Sequence, residues 1–276
     1  MYTIDSHQHF WKYDPVRHNW INDDMAKIRK DFLPEQLAAV LKDNGVDGCV
    51  AVQSDQTAVE TDFLLHLSSQ HDFIKGVVGW VDLRSPFLTE RLEYYRQFDQ
   101  LKGFRHILQG EEQRDFCLQP AFLNGIAVLE EFGFTYDILI LPDQLQYMGD
   151  FVSRFPNQRF VIDHIAKPGI AKADMIDWKR DIEKVALYQN VHCKISGMVT
   201  EADLTGWKKD DFTPYLDVVV NAFGIKRIMY GSDWPVCLAA AEYADVIGIV
   251  KAYFSNFSTQ EQELFFGQNA IDFYRL

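Results

Sequence analysis

Eight short, apolar, β-branched segments recur along this chain, and the sequence between them carries helical patterning. That alternation constrains the fold more than any other feature. Strands are expected near residues 3–4, 48–52, 75–81, 103–107, 134–138, 159–163, 191–195 and 227–230. Between the first two, Pro34 opens an apolar-periodic run that Asn44-Gly45 closes, as helices prefer. Residues 177–188 set Trp178, Ile182, Val185 and Ala186 at helical spacing, and Ser258 with Glu261 forms a capping box near the end. Eight strand-helix units predict an α/β protein of the (β/α)8 TIM-barrel type. A doubly wound open sheet is the alternative, but it would need a cofactor fingerprint, and neither G-x-G-x-x-G nor a P-loop is present. No linker or low-complexity tract divides residues 1–276, so a single barrel domain is expected.

The net charge of -13 argues against affinity for nucleic acid or an acidic membrane surface, and implies that an anionic ligand would need its own local cations. Cys49, Cys117, Cys193 and Cys237 form no C-x-x-C pair and read as reduced thiols. The chain opens on Tyr2-Thr3-Ile4-Asp5 with no basic and apolar leader, and no apolar run is long enough to cross a membrane. A cytoplasmic protein is the expectation, with self-association left open.

In a barrel of this kind the active site lies at the C-terminal ends of the strands. The first strand ends in His7-Gln8-His9, whose histidines share a face at period two. The sixth ends in Asp163-His164 and the eighth in Gly231-Ser232-Asp233-Trp234-Pro235. His7, His9, His164 and Asp233 would therefore meet at one rim, a ligand set suited to one divalent metal ion, zinc first among them. Asp233 is also the candidate general base for a water molecule. The plainer alternatives are an Asp233 that caps the following loop and a His164 bonded to nearby backbone.

Other strand ends offer substrate contacts. Arg105 and His106 are neighbours, so strand alternation lets only one of them face inward. Lys194 shares a face with His192 and Ser196, and a lysine in an apolar strand needs a partner or a wet cavity. Asp137 is equally out of place in a core strand and could orient a ligand or bond substrate. Trp11, Trp20, Trp80 and Trp234 could wall a sugar site or simply pack. The longer connections, residues 10–31 and 196–211, are expected to shape the mouth.

Three stretches are similar to the amidohydrolase-related family: Asp5-Ser6-His7-Gln8-His9-Phe10-Trp11, Gly103-Phe104-Arg105-His106, and the run from Phe223 to Val236 containing Tyr230-Gly231-Ser232-Asp233-Trp234-Pro235. Supporting pieces run from Val161 to Pro168 and from Cys193 to Glu201, so the likeness spans nearly the whole chain. Within that family the chain most resembles the sugar-lactone hydrolases, the group of L-fuconolactonase and L-rhamnonolactonase. The resemblance implies a distorted (β/α)8 barrel and a lactonase acting on the carboxylic ester of a small-molecule sugar lactone, a role in carbohydrate catabolism. By the same resemblance His7, His9 and His164 match the strand-one and strand-six histidines, and Asp233 the strand-eight acid. Where the wider superfamily often places a strand-five histidine this chain has Asp137, which favours one metal over two; metal-independent lactonases also occur in the broad family. The rival expectations are a metal-dependent decarboxylase and a non-catalytic barrel that binds sugar acids.

Overall fold

The computed structural model describes residues 1–276. Its eight strands are β1 (Ile4–Gln8), β2 (Gly48–Val52), β3 (Ile74–Gly79), β4 (Leu101–His106), β5 (Thr135–Ile138), β6 (Phe160–Ile162), β7 (Val191–Ile195) and β8 (Ile228–Tyr230). All pair in parallel and in chain order within one sheet. The ring closes just past β8, where His9 N donates to Trp234 O at 2.7 Å and Asp233 N donates to His7 O at 2.8 Å. The expected TIM barrel is thus the observed fold. The helix Pro34–Asn44 begins and ends where the sequence indicates, and Gly45 takes the left-handed conformation (φ 70°) that closes it.

Two apolar layers hold the barrel. Outside, between strands and helices, lies a continuous core of 70 buried residues. Inside, Ile4, Val50, Val52, Val78, Val161 and Met229 meet Ala270, Phe273 and Tyr274, so the last helix, Asn269–Tyr274, plugs the lower mouth. Ile4 and His7 both face the interior although they differ in parity along β1. A register shift between Asp5 and Gln8 resolves this: one extra residue in the strand turns its end so that the histidines, not Ser6 and Gln8, face inward. Gln8 then points outward, its Nε2 lying 3.3 Å from Cys49 Sγ.

His192, half-buried beneath the Phe273 ring at 4.8 Å between centroids, lies in the lower layer. Burial, with Arg227 and Arg159 nearby, lowers its pKa from 6.5 to about 4. The unfolded chain therefore binds a proton at His192 at a pH where the native state does not. Stability from this source is complete above about pH 6.5 and declines as the pH falls towards 4, by about 2 kcal/mol after allowance for partial exposure. His192→Gln should flatten urea-derived stability against pH across that window; an unchanged slope would show that His192 takes no part.

All four cysteines are buried and free. No helix is long and apolar enough to cross a membrane.

Candidate active site

At the upper rim, His7, His164 and Asp233 present ligand atoms that all lie within 4.8 Å of one another. Asp233 Oδ1 is the point of convergence. It lies 3.3 Å from His9 Nε2 and 3.9 Å from both His7 Nε2 and His164 Nε2. The other nitrogen of each ring is tied down. His9 Nδ1 lies 2.7 Å from Val52 O, His164 Nδ1 lies 2.9 Å from Ser196 Oγ, and His7 Nδ1 lies 3.2 Å from Asp163 Oδ1. Fixing Nδ1 in this way orients each ring and presents Nε2 to the cluster.

Backbone geometry sets these positions. Asp233 takes a left-handed conformation (φ 59°) three residues past the end of β8, and its carboxylate faces His7, His9 and His164. Gly197, also left-handed at φ 62°, lies against the His164 ring; a Cβ there would come 2.5 Å from His164 Nδ1. Only glycine lets the chain after β7 pass so close to that imidazole.

Beneath the histidines lies a buried charge network. Asp163 Oδ2 accepts from Arg105 Nη1 at 3.0 Å, and Asp163 Oδ1 lies 3.1 Å from Lys194 Nζ. Lys194 Nζ also donates to Asp137 Oδ2 at 2.6 Å, and the Tyr274 hydroxyl donates to that same oxygen at 2.7 Å. Arg105 further donates to the Gln53 carbonyl, and its Nη1 lies 3.3 Å from His7 Nε2. Burial works to raise the Asp163 carboxyl but is outweighed by Lys194, His7 and Arg105, which hold it well below the usual range. At Asp137 burial prevails over the attraction of Lys194, and its carboxyl is raised.

Charges at the rim are arranged for an anion facing neutral rings. Burial pushes the His7 and His164 imidazoles well below their ordinary value, against the opposing pull of Asp163 and Asp233 respectively. At Asp233 burial acts to raise the pKa, yet His164, His9 and Lys167 together leave it lowered. An ionised carboxylate among neutral imidazoles is the donor set a divalent cation requires. Separations of 3.9 Å are close to the roughly 3.4 Å edge of a tetrahedron with metal-ligand arms near 2.1 Å. The residues therefore fit a divalent ion, with His7, His164 and Asp233 as its holders and His9 beside them.

Above the cluster opens a cavity of about 670 Å³, floored by His9, Arg105, His164 and Asp233. The connection after β1 contributes Arg17, Asn19, Trp20 and Asn22 to its wall, and the one after β7 contributes Thr200, Glu201 and Leu204. Both long connections thus shape the mouth, as their length indicates.

Several expected substrate contacts lie elsewhere. Arg105 reaches the cavity, whereas His106 points outward, stacked on Phe116 at 5.4 Å and 2.7 Å from Glu111 Oε1. Lys194 and Asp137 face the interior but lie below the floor, with no exposed surface. Of the tryptophans expected to wall the site, Trp20 does so. Trp11 is buried behind it, ring centroids 5.9 Å apart, and donates from Nε1 to Lys30 O at 2.9 Å. Trp80 sits at the end of β3 with its backbone tied to Thr61 Oγ1 and does not line the cavity. Conversely, Asp163, Lys167 and Glu201 belong to the site region, although the sequence pattern assigns none of them a role.

A parallel (β/α)8 barrel with a histidine-carboxylate cluster at its C-terminal rim, under a polar cavity, is the architecture of a barrel enzyme acting on a small molecule. The amidohydrolase family profile matches residues 4–276, and the chain belongs to that family. It is 38% identical to an L-fucono-1,5-lactonase of Burkholderia multivorans, across 99% of this chain and 96% of that protein. It is 34% identical to an L-fucono-1,5-lactonase of Burkholderia ambifaria, across 100% of this chain and 96% of its relative. A crystal structure of an amidohydrolase from Burkholderia multivorans with bound zinc superposes with a TM-score of 0.96 at 38% identity, covering both chains fully.

Proposed function

We propose that this protein hydrolyses a sugar lactone of the L-fucono-lactone or L-rhamnono-lactone type to the sugar acid. The observation that carries this reading is Asp233: an ionised carboxylate on which three imidazole Nε2 atoms converge, at the floor of a cavity large enough for one sugar ring. The full-length similarity to two fuconolactonases supports the choice of substrate class.

Asp233 accepts a proton from water, and the water oxygen forms a bond to the lactone carbonyl carbon as the carbonyl electrons move onto oxygen. Re-formation of the carbonyl breaks the bond to the ring oxygen, which leaves with its electron pair. The proton held by Asp233 passes to that ring oxygen, restoring the carboxylate. The acid so formed ionises to the aldonate, releasing one proton per turnover. The Nε2 atoms of His7, His9 and His164 surround the water and accept from it, and Arg105, fastened to Asp163 and Gln53, sets a positive charge beside the site. A divalent ion on His7, His164 and Asp233, for which zinc is the proposed identity, would add Lewis-acid polarisation of the carbonyl.

A pH-indicator assay across a panel of aldonolactones tests the reading. Acid release from L-fucono-1,5-lactone or an L-rhamnono-lactone well above the spontaneous rate is the expected result. If no lactone releases acid, with divalent metal added or withheld, the reading fails. Release of carbon dioxide from an aromatic acid would replace it with decarboxylation.

A further inference from the structure

Four consecutive residues after β6 hold a left-handed backbone: His164 (φ 55°), Ile165 (φ 47°), Ala166 (φ 57°) and Lys167 (φ 50°). None is the glycine or asparagine that usually occupies such positions, and each L-residue costs roughly 1–2 kcal/mol there. The turn is clamped by Trp178 Nε1, which donates to Ile165 O at 2.7 Å, and by Lys167 N, which donates to His164 O at 2.8 Å. Strain that the surroundings enforce marks a functional constraint. Here its effect is that the first and last side chains of the turn, His164 and Lys167, both line the cavity.

Lys167 differs from the other cations of that wall. Arg105 is committed to Asp163 and the Gln53 carbonyl, and Arg17 lies at an exposed position of the outer loop. Lys167 has a looser partner: its Nζ lies 3.4 Å from Glu201 Oε1, beyond the roughly 2.7–2.9 Å of a tight charge-assisted bond. Both members are three-quarters buried, and both line the cavity with Asp233. An ammonium held by a long contact can exchange that contact for a better-placed anion. The chemistry produces one, first on the carbonyl oxygen and then as the product carboxylate, inside a protein of net charge -13 that would otherwise repel it.

We propose that Lys167 is the anion-binding group of the site: its ammonium, resting on Glu201 in the free protein, moves to the carbonyl oxygen as charge develops there and then holds the product carboxylate. No proton leaves Lys167 in this exchange; the covalent steps remain those written for Asp233. The inference rests on the lactone reading and extends it to a second residue.

Calorimetric titration with L-fuconate and with its neutral counterpart L-fucitol, on Lys167→Met, Lys167→Arg and Glu201→Gln, tests it. Lys167→Met should bind L-fuconate about tenfold or more weakly, a loss of about 1.4 kcal/mol, with L-fucitol affinity unchanged. Its kcat on an active lactone should fall at least about tenfold, and Lys167→Arg should recover part of both. Glu201→Gln frees the ammonium from its partner and should tighten L-fuconate binding. L-fuconate affinity in Lys167→Met within about twofold of the parent overturns the proposal. If that variant does not fold, unchanged or weaker L-fuconate binding by Glu201→Gln overturns it instead. These failures in an enzyme that hydrolyses lactones sink only the role of Lys167; a parent protein that hydrolyses none sinks the lactone reading and this inference with it.

Discussion

Asp233→Asn is expected to lower kcat on a sugar lactone by about 10² or more, while the protein folds and melts much as before. The amide is nearly isosteric and tolerates the left-handed backbone (φ 59°) of this position, so the substitution isolates the loss of basicity from any loss of shape. It also removes the one anion that the His7, His9 and His164 Nε2 atoms face, and leaves no carboxylate in their midst. Steady-state kinetics beside a thermal melt decide the matter. A kcat within a few-fold of the parent would assign the base to another group.

Lys194→Met should act in the opposite sense, through stability. Lys194 is fully buried between Asp137 and Asp163, at 2.6 Å and 3.1 Å. Removing the ammonium leaves two buried carboxylates facing each other with Arg105, His7 Nδ1 and the Tyr274 hydroxyl as their remaining partners. Breaking such a network costs about 3–5 kcal/mol. The corresponding fall in the thermal midpoint is roughly 10 °C for a chain of this size. Activity should fall as well, because Asp163 orients His7, but the melt carries the test. An unchanged midpoint with a raised KM would make Lys194 a substrate contact after all.

These two residues also show what could be read from sequence. A charged residue in an apolar strand needs a partner or a wet cavity, and Lys194 and Asp137, both on the inner face of the barrel, partner each other. Alternation gives the face but not the height, and both side chains sit one layer below the cavity floor, where they answer each other instead of a ligand. Arg105 and His106 were separable only as a pair with one member inward; the structure selects Arg105 and leaves His106 against Phe116. The strands and the helix at Pro34 were legible because apolar runs, proline and glycine mark them locally. Lys167 is not legible, for the converse reason. Ile165-Ala166-Lys167 contains no residue that announces a left-handed turn, so nothing in the sequence signals that Lys167 reaches back beside His164. Asp163 directly precedes His164, and in a regular strand only one of two neighbours faces inward. The turn that begins at His164 breaks that rule and brings both to the site.

Closure of the ring by the two ends of the barrel has a kinetic corollary. Ser6 Oγ bonds Tyr230 O across 224 residues, and Asp5 accepts from the Tyr243 hydroxyl across 238. Contacts so remote in sequence form late, after the intervening loop entropy has been overcome. His9 finds Val52 O early in the chain and His7 finds Asp163 Oδ1 in its sixth strand, but both wait for Asp233 before their Nε2 atoms face the carboxylate of the rim. A chain folded only as far as β7 leaves β1 lacking one neighbour, its unpaired edge open to misassociation. Interrupted translation products ending before β8 would carry three of the four rim residues and no closed barrel.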